Sequence, residues 1–425
     1  MRILWITNIL FPDICKELHR TPPVTGGWMK SLANALLEQY PQIELAVAAL
    51  YGAQNKQLLE KKINRITYYC LPYNEYHTQY NAAMEMTWKE VANRFNPDVV
   101  HIHGTEFPYG LAYLKANGGD NAVISIQGLV GAYARYSLGN IPKNILSQYR
   151  TFHDRFKKTI LNSPEKMMVQ GKLENEYLTY AHHVIGRTEW DKAHAWAINP
   201  KCQYHVCNET LRTPFYNNEK WDISKCKRHT IFLSQAQKPI KGIHKIIEAM
   251  PLILREYPDT TIYVAGTNFL KRESIKDKLR FSTYANYVLS LIRKHHLENK
   301  FIFTGLLNEF QMAEQYRNSN IFICPSSIEN SPNSLGEAQL IGVPCIASYV
   351  GGIPSMVTNE VSGLLYQFEE HEMLANLVCK IFSDDNLALK LSQQGIIAAE
   401  KRHNKEINAQ TTFTIYNSII NNHKE

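Results

Sequence analysis

The chain has 425 residues, 44% of them hydrophobic and 20% charged. That is more than one ordinary core holds and excludes a disordered chain, so two domains are expected. A net charge of +7 is too modest to point to nucleic acid, and the eight cysteines form no CxxC pair. They read as reduced, buried thiols of an intracellular protein, and Cys202, His205 and Cys207 lack the fourth ligand a structural zinc wants.

The opening MRILWITNILFP is broken by Thr7 and Asn8, so it predicts a first buried strand rather than a secretory leader. No stretch approaches the ~18 apolar residues that span a membrane. The expected location is cytoplasmic, with at most peripheral contact at the cytoplasmic face of the inner membrane. Gly26 and Gly27 precede the helical pattern WMKSLANALLEQY. Paired glycines let a backbone approach a bulky anion, or simply make a turn. The first strand is not followed by GxGxxG, and no GxxxxGK[ST] occurs, which argues against a dehydrogenase and a P-loop enzyme.

ELAVAAL, VVHIHG, AVISIQG and HHVIGRT read as further strands, two of them ending at His103 and Gln127. Residues 143–172 carry seven Lys or Arg against two acids, with apolar residues at helical spacing. This predicts a basic amphipathic segment, either an ordinary core-facing helix or a contact with an anionic membrane or lipid-linked substrate. After a polar interval at 217–228 the rhythm restarts with TIFLSQ, TIYVAG, KFIFTG, IFICPS and PCIAS. Apolar strands alternating with amphipathic helices, such as 242–257, predict parallel sheets covered on both faces. The fold class is therefore α/β, with two Rossmann-like, doubly wound parallel-sheet domains facing a central cleft. The expected domains are 1–217, 218–405, and a helix at 406–425 packing back on the first.

In such sheets ligands bind at the carboxyl ends of the strands. There the second half places Gln235, Lys241-Gly242 and the loop from Glu329 through Asn333, Ser334 and Leu335 to Glu337. A helix starting near Ser334 aims free N–H groups at a phosphate, Glu337 in its first turn suits a ribose, and Glu329 suits sugar hydroxyls. Ser334-x-x-Glu337 is equally a capping box. Lys241 reaches phosphate oxygens as a point charge, or is a solvated lysine at a helix start.

Two Rossmann-like lobes, an early GG loop, a KG loop opening the second lobe and E-x7-E near the end resemble GT-B glycosyltransferases. The text ENSPNSLGEAQLIGVPCIASYVGGIPSMV, followed by GLLY, is similar to the retaining glycosyltransferases of family 4. The resemblance covers most of the chain and is strongest from Thr230 to Gln367. It implies that Glu337 binds the donor's ribose, Glu329 the transferred sugar, and Lys241 the pyrophosphate, helped by amides near Ser334 and Leu335 and by Gly26 and Gly27. It sets His103 and Gln127 on the sugar side. Gln127 stands where many members have a histidine, and Gln235 where many have an arginine.

The implied reaction moves a sugar, with retention, from a UDP-sugar to a glycan or lipid-linked glycan acceptor in surface polysaccharide assembly. No cofactor and, without a DxD, no metal are expected. Two rivals stand beside it. One is a sugar-nucleotide 2-epimerase, for which Glu106 near His103 is a candidate acid–base group. The other is a catalytically silent sugar-nucleotide-binding subunit, prompted by Gln127 and Gln235.

Overall fold

The computed structural model describes residues 1–23, 26–52, 57–73, 80–152, 154 and 160–422. Its contacts define two compact units. The first is Met1–Gly131, Met168–Arg212 and His403–Glu425, and the second is Ala132–Met167 and Thr213–Arg402.

The first unit holds β1 (Arg2–Ile6), β2 (Glu44–Leu50), β3 (Leu59–Ile63), β4 (Ile66–Leu71), β5 (Val99–His103), β6 (Ala122–Ser125), β7 (His183–Gly186) and β8 (Gln203–Val206). Their spatial order is β3-β4-β2-β1-β5-β6-β7-β8. The apolar runs form the central parallel strands, because only strands covered on both faces tolerate residues as uniformly buried as Val99–His103. The antiparallel β3–β4 pair departs from the expected all-parallel sheet. Leu59–Ile63 alternates partly buried and exposed residues, as an edge strand does, and Asn64 takes a left-handed conformation (φ 54°) in the tight turn that follows. The larger covering helices are α1 (Gly27–Gln39), α2 (Ala83–Phe95), α3 (Tyr109–Asn117), α4 (Ser163–Tyr180, of which Met168–Tyr180 belongs to this unit) and α5 (Glu189–Ile198).

The second unit is a six-stranded parallel sheet of β9 (Lys227–Leu233), β10 (Thr261–Val264), β11 (Phe301–Phe303), β12 (Ser319–Cys324), β13 (Cys345–Ser348) and β14 (Leu364–Tyr366). Its order is β11-β10-β9-β12-β13-β14. The principal helices are α6 (Ile243–Glu256), α7 (Thr283–Lys294), α8 (Glu309–Asn318), α9 (Asn333–Ile341), α10 (His371–Ser383) and α11 (Asp385–Arg402). In α6 the residues Ile243, Ile246, Ile247, Met250 and Ile253 are buried, the stripe that helical periodicity sets against a sheet.

The last helix, α12 (Lys405–Asn422), lies in the first unit. It is pinned there by polar contacts in an apolar core. Trp5 Nε1 donates to Tyr416 Oη at 2.9 Å, Tyr416 Oη lies 2.6 Å from His101 Nδ1, and His101 Nε2 lies 2.6 Å from Ser125 Oγ. Since indole only donates, the tyrosine proton goes to Nδ1 and the imidazole donates from Nε2. Burial first, then the Arg187 charge, lowers the His101 pKa to about 3, which keeps this chain neutral. Phe413 stacks on Tyr40 at 3.8 Å.

Residues 132–167, expected in the first domain, belong to the second unit. Gly139 O accepts from His244 Nε2 at 2.9 Å and Tyr149 O from Asn286 Nδ2 at 3.0 Å, while the Asp154 carboxylate accepts from the backbone N–H and hydroxyl of Thr283. The basic segment 143–172 is not one helix. A short helix at Lys143–Ser147 is followed by a turn at Ile160–Asn162 and the start of α4, and residues 153 and 155–159 lie outside the described residues. Leu146 and Leu161 are fully buried, so part of the apolar pattern serves packing. No described helix is long and apolar enough to cross a membrane.

Candidate active site

Each sheet has a switch point, where the chain leaves one strand toward one edge and its neighbour toward the other. It lies between β1 and β5 in the first sheet and between β9 and β12 in the second, and such points open a crevice at the strands' carboxyl ends. The predicted residues cluster at both.

In the second unit, β9 runs into a short 3-10 turn at Pro239–Lys241, and Gly242 caps α6 with φ 71°. A Cβ at Gly242 would lie 1.7 Å from the Pro325 carbonyl oxygen, so only glycine lets this turn lie against the loop after β12. The two loops are also joined by Ser327 N–H donating to Ile240 O at 2.9 Å. Lys241 Nζ thereby meets Glu329 Oε1 at 2.5 Å, and Ser326 Oγ donates to the same oxygen at 2.7 Å. Burial works to lower the Lys241 pKa, but the Glu329 charge and hydrogen bond outweigh it and hold the amine above its usual value. The lysine is therefore a fixed positive charge, with 26% of its side chain exposed.

Glu329 is held from behind. Its carbonyl accepts from Gly352 N–H at 2.9 Å, and a Cβ on Gly351 (φ 51°) would come within 2.1 Å of that oxygen. The VGGIP text thus has a physical role that sequence reasoning missed, as does Ser326; a polar residue three before Glu329 was the available signal.

Helix α9 begins at Asn333, with Pro332 as its N-cap and no side-chain cap. This overturns the capping-box alternative. Ser334 is already the second helical residue, so it cannot cap, and Glu337 falls just beyond the first turn instead of within it. Glu337 is 4% exposed. The first N–H groups of α9 lack intrahelical partners by the geometry of any helix, and Asn333 Oδ1 is buried without a protein partner among the described residues. The Leu335 N–H already donates to Pro332 O at 3.0 Å, and its side chain is in the core. Tyr316 Oη fixes the first turn by donating to Ser334 O at 3.0 Å. Gln235 is exposed after the end of β9.

In the first unit, Gly26 (φ 78°) is the N-cap of α1 and Gly27 its first residue; residues 24 and 25 are outside the described set. His103 ends β5 and stacks on His101 at 3.8 Å, with Trp5 and Trp28 edge-on. Both its ring nitrogens are buried without a protein partner among the described residues. Burial first, then His101 and Arg187, keeps its pKa well below the usual value, so it is a neutral imidazole. Arg187 forms a buried ion pair with Glu209 at 2.6 Å. Gln127 lies beside Gly104 (φ 94°), whose Cβ position is 3.4 Å from Gln127 Cδ and 2.1 Å from Glu106 Oε2.

A helix start, a fixed ammonium and two buried carboxylates at a switch point suit a phosphorylated, hydroxyl-rich ligand. Residues 217–397 match the family described as Glycosyl transferases group 1. These residues form a domain similar to that family, in a chain of GT-B fold.

The N-acetyl-alpha-D-glucosaminyl L-malate synthase of Bacillus anthracis is 22% identical over 382 residues, 86% of this chain and 87% of that one. YtcC of Bacillus subtilis (strain 168), provisionally named a glycosyltransferase, is 27% identical over 197 residues, 45% of this chain and 46% of that protein. The fold is that of the sucrose-phosphate synthase of Thermosynechococcus elongatus, with a TM-score of 0.70 at 16% identity over 99% of both chains. It is also that of Anabaena HepE in complex with UDP-glucose, with a TM-score of 0.62 at 16% identity over 98% of this chain and 99% of that one. The predicted α/β class and the glycosyltransferase resemblance agree with these likenesses. The fold brings Lys241 and Glu329, assigned separately to pyrophosphate and sugar, into one ion pair.

Proposed function

We propose that this chain is a retaining, metal-independent hexosyltransferase that moves a sugar from a UDP-sugar to a glycan or lipid-linked glycan in surface polysaccharide assembly. The observation that carries the reading is the Lys241–Glu329 pair at the β9–β12 switch point, within the matched domain. The start of α9 is the second source of positive potential there. Breaking the bond between the anomeric carbon and the phosphate oxygen leaves negative charge on the nucleoside diphosphate. Lys241 and the first amides of α9 are preorganised to stabilise it. The acceptor oxygen attacks from the face the leaving group departs, its proton passes to the departing phosphate oxygen, and the new glycosidic bond keeps the donor's configuration. Glu337 takes the ribose hydroxyls and Glu329 those of the transferred sugar. His103 and Gln127 serve the sugar side, and Gly26 and Gly27 the pyrophosphate. Cytoplasmic placement, with peripheral membrane contact through 143–172, accompanies this reading.

The test is a thermal-shift screen with UDP, GDP and their sugars, followed by transfer to candidate acceptors. A binder of the native state raises the melting point. A UDP-sugar should raise it, Lys241→Ala should reduce turnover by about 10²–10³-fold, and the product should keep the donor's anomeric configuration. An inverted product overturns the mechanism, and no shift with any nucleotide overturns the function.

A further inference from the structure

Within the second unit, the short helix Ile275–Arg280 buries none of its residues. A helix of this length is marginal alone, and it is held at both ends. Ser274 Oγ accepts from Asp277 N–H at 3.0 Å, and the Asp277 carboxylate accepts from Ser274 N–H at 2.9 Å. Phe281, 3% exposed, anchors the other end and carries the Arg272 guanidinium 4.5 Å from its ring centre. The exposed face is not polar. Ile275 is 79% exposed and Leu279 54%, and residues four apart share one side of a helix. At ~100° per residue, Lys276 and Lys278 fall about 80° to either side of that face, and Asp277 falls opposite it. Lys271, Arg272 and Arg280 are exposed as well, so residues 271–280 carry five basic groups against Glu273 and Asp277. Both acids are engaged locally, Glu273 with Lys271 Nζ at 2.9 Å and Asp277 in the cap. The aliphatic face adds nothing to the core of its unit, and covering it from outside is favourable.

We propose that the helix Ile275–Arg280 docks on an anionic lipid bilayer, with Ile275 and Leu279 at the boundary between headgroups and acyl chains and Lys276 and Lys278 against the lipid phosphates. Charge complementarity selects the surface, since a basic stretch is drawn to negative headgroups. A nucleic acid would satisfy the lysines but offers no apolar layer for Ile275 and Leu279, whereas a bilayer supplies both. The helix leads through Phe281 and Ser282 into α7, where Thr283 holds the Asp154 carboxylate and Asn286 Nδ2 donates to Tyr149 O at 3.0 Å. The docking face therefore belongs to the same unit as the first part of the basic stretch for which membrane contact is proposed above, and it gives that contact an apolar anchor. The inference deepens that part of the proposed function and does not draw on the donor reading.

The experiment is cosedimentation of the full chain with vesicles of phosphatidylcholine alone and of phosphatidylcholine with phosphatidylglycerol in equal parts. It compares the parent with the double variants Ile275→Ser/Leu279→Ser and Lys276→Gln/Lys278→Gln. The parent should bind the anionic vesicles at least ~10-fold more strongly than the neutral ones, and less strongly at ~0.5 M salt. The aliphatic variant should lose about 10-fold in that binding and the lysine variant about 30-fold. Both should melt as the parent does, because neither removes a buried side chain. Equal binding of the parent to the two vesicles overturns the proposal. So does unchanged binding of Ile275→Ser/Leu279→Ser, even where residues 143–172 hold the chain to lipid. Binding of single-stranded DNA that the lysine variant loses and the aliphatic variant keeps, with no binding to vesicles, marks a nucleic-acid surface and overturns it as well. The rise in melting point with UDP should be the same in all three proteins, so failure of the donor reading and failure of this one are read separately.

Discussion

Glu106 and Gly242 show how single residues carry site geometry at a cost or constraint elsewhere. Because burial raises the Glu106 pKa from 4.5 to about 7, the folded state binds a proton that the unfolded chain releases. Its neutral form leaves stability intact below the unfolded pKa, and stability falls as pH rises toward and through the folded value. Glu106→Gln, which cannot ionise, should melt higher than the parent at pH 8 and close to it at pH 4.5. The difference is at most ~3 kcal/mol, read from melts across that range. Gly242→Ala meets the Pro325 oxygen at 1.7 Å with φ 71°. It should cost roughly 2 kcal/mol or more in a urea titration and weaken UDP binding through displacement of Lys241. The glycine was legible in the sequence as half of a KG pair. The carbonyl it avoids, 83 positions away, was not.

At the scale of elements, α9 and α12 separate two kinds of legibility. The start of α9 was placed within a residue by its polar loop, but pattern alone could not distinguish Ser334 as cap from Ser334 inside the first turn. Pro332 takes the N-cap position, so Ser334→Ala should change stability by less than ~0.5 kcal/mol, against about 1 kcal/mol for loss of a true cap. Chemical denaturation decides between them. For α12 the periodicity marked a helix, and its attachment depends on Trp5, His101 and Tyr416 meeting in three dimensions. Tyr416→Phe strands the indole N–H and the imidazole. It should destabilise the first unit by ~1–3 kcal/mol, with hydrogen exchange accelerating in β1, β5 and α12.

Across the whole molecule, the two units have separate sheets and separate switch points, and the donor reading loads most of the nucleotide onto the second. UDP should slow hydrogen exchange in the loops after β9 and β12 and at the start of α9, leaving β3 and β4 unchanged. Glu337→Gln should diminish this pattern at equal UDP concentration. Uniform protection, or none at residues 238–242 and 326–337, would contradict the assignment. The division of the chain was only partly readable. The restart of the strand rhythm near residue 229 marks the second sheet, whereas residues 132–167 join that unit through hydrogen bonds to Thr283, His244 and Asn286, partners far along the chain.

What the sequence determined by itself was the α/β class, the central strands and the placing of Lys241, Glu329 and Glu337 in loops and a helix start after strand ends. Apolar runs, helical stripes and short motifs are local, and local pattern specifies which face an element buries. Tertiary structure alone decided that Lys241 and Glu329 form one ion pair, that Pro332 begins α9, that β3 and β4 make an antiparallel edge and that Glu106 is buried beside Gln127. Each depends on a distance between segments remote in sequence, and burial, pairing and pKa are set by those distances, which no window of neighbouring residues contains.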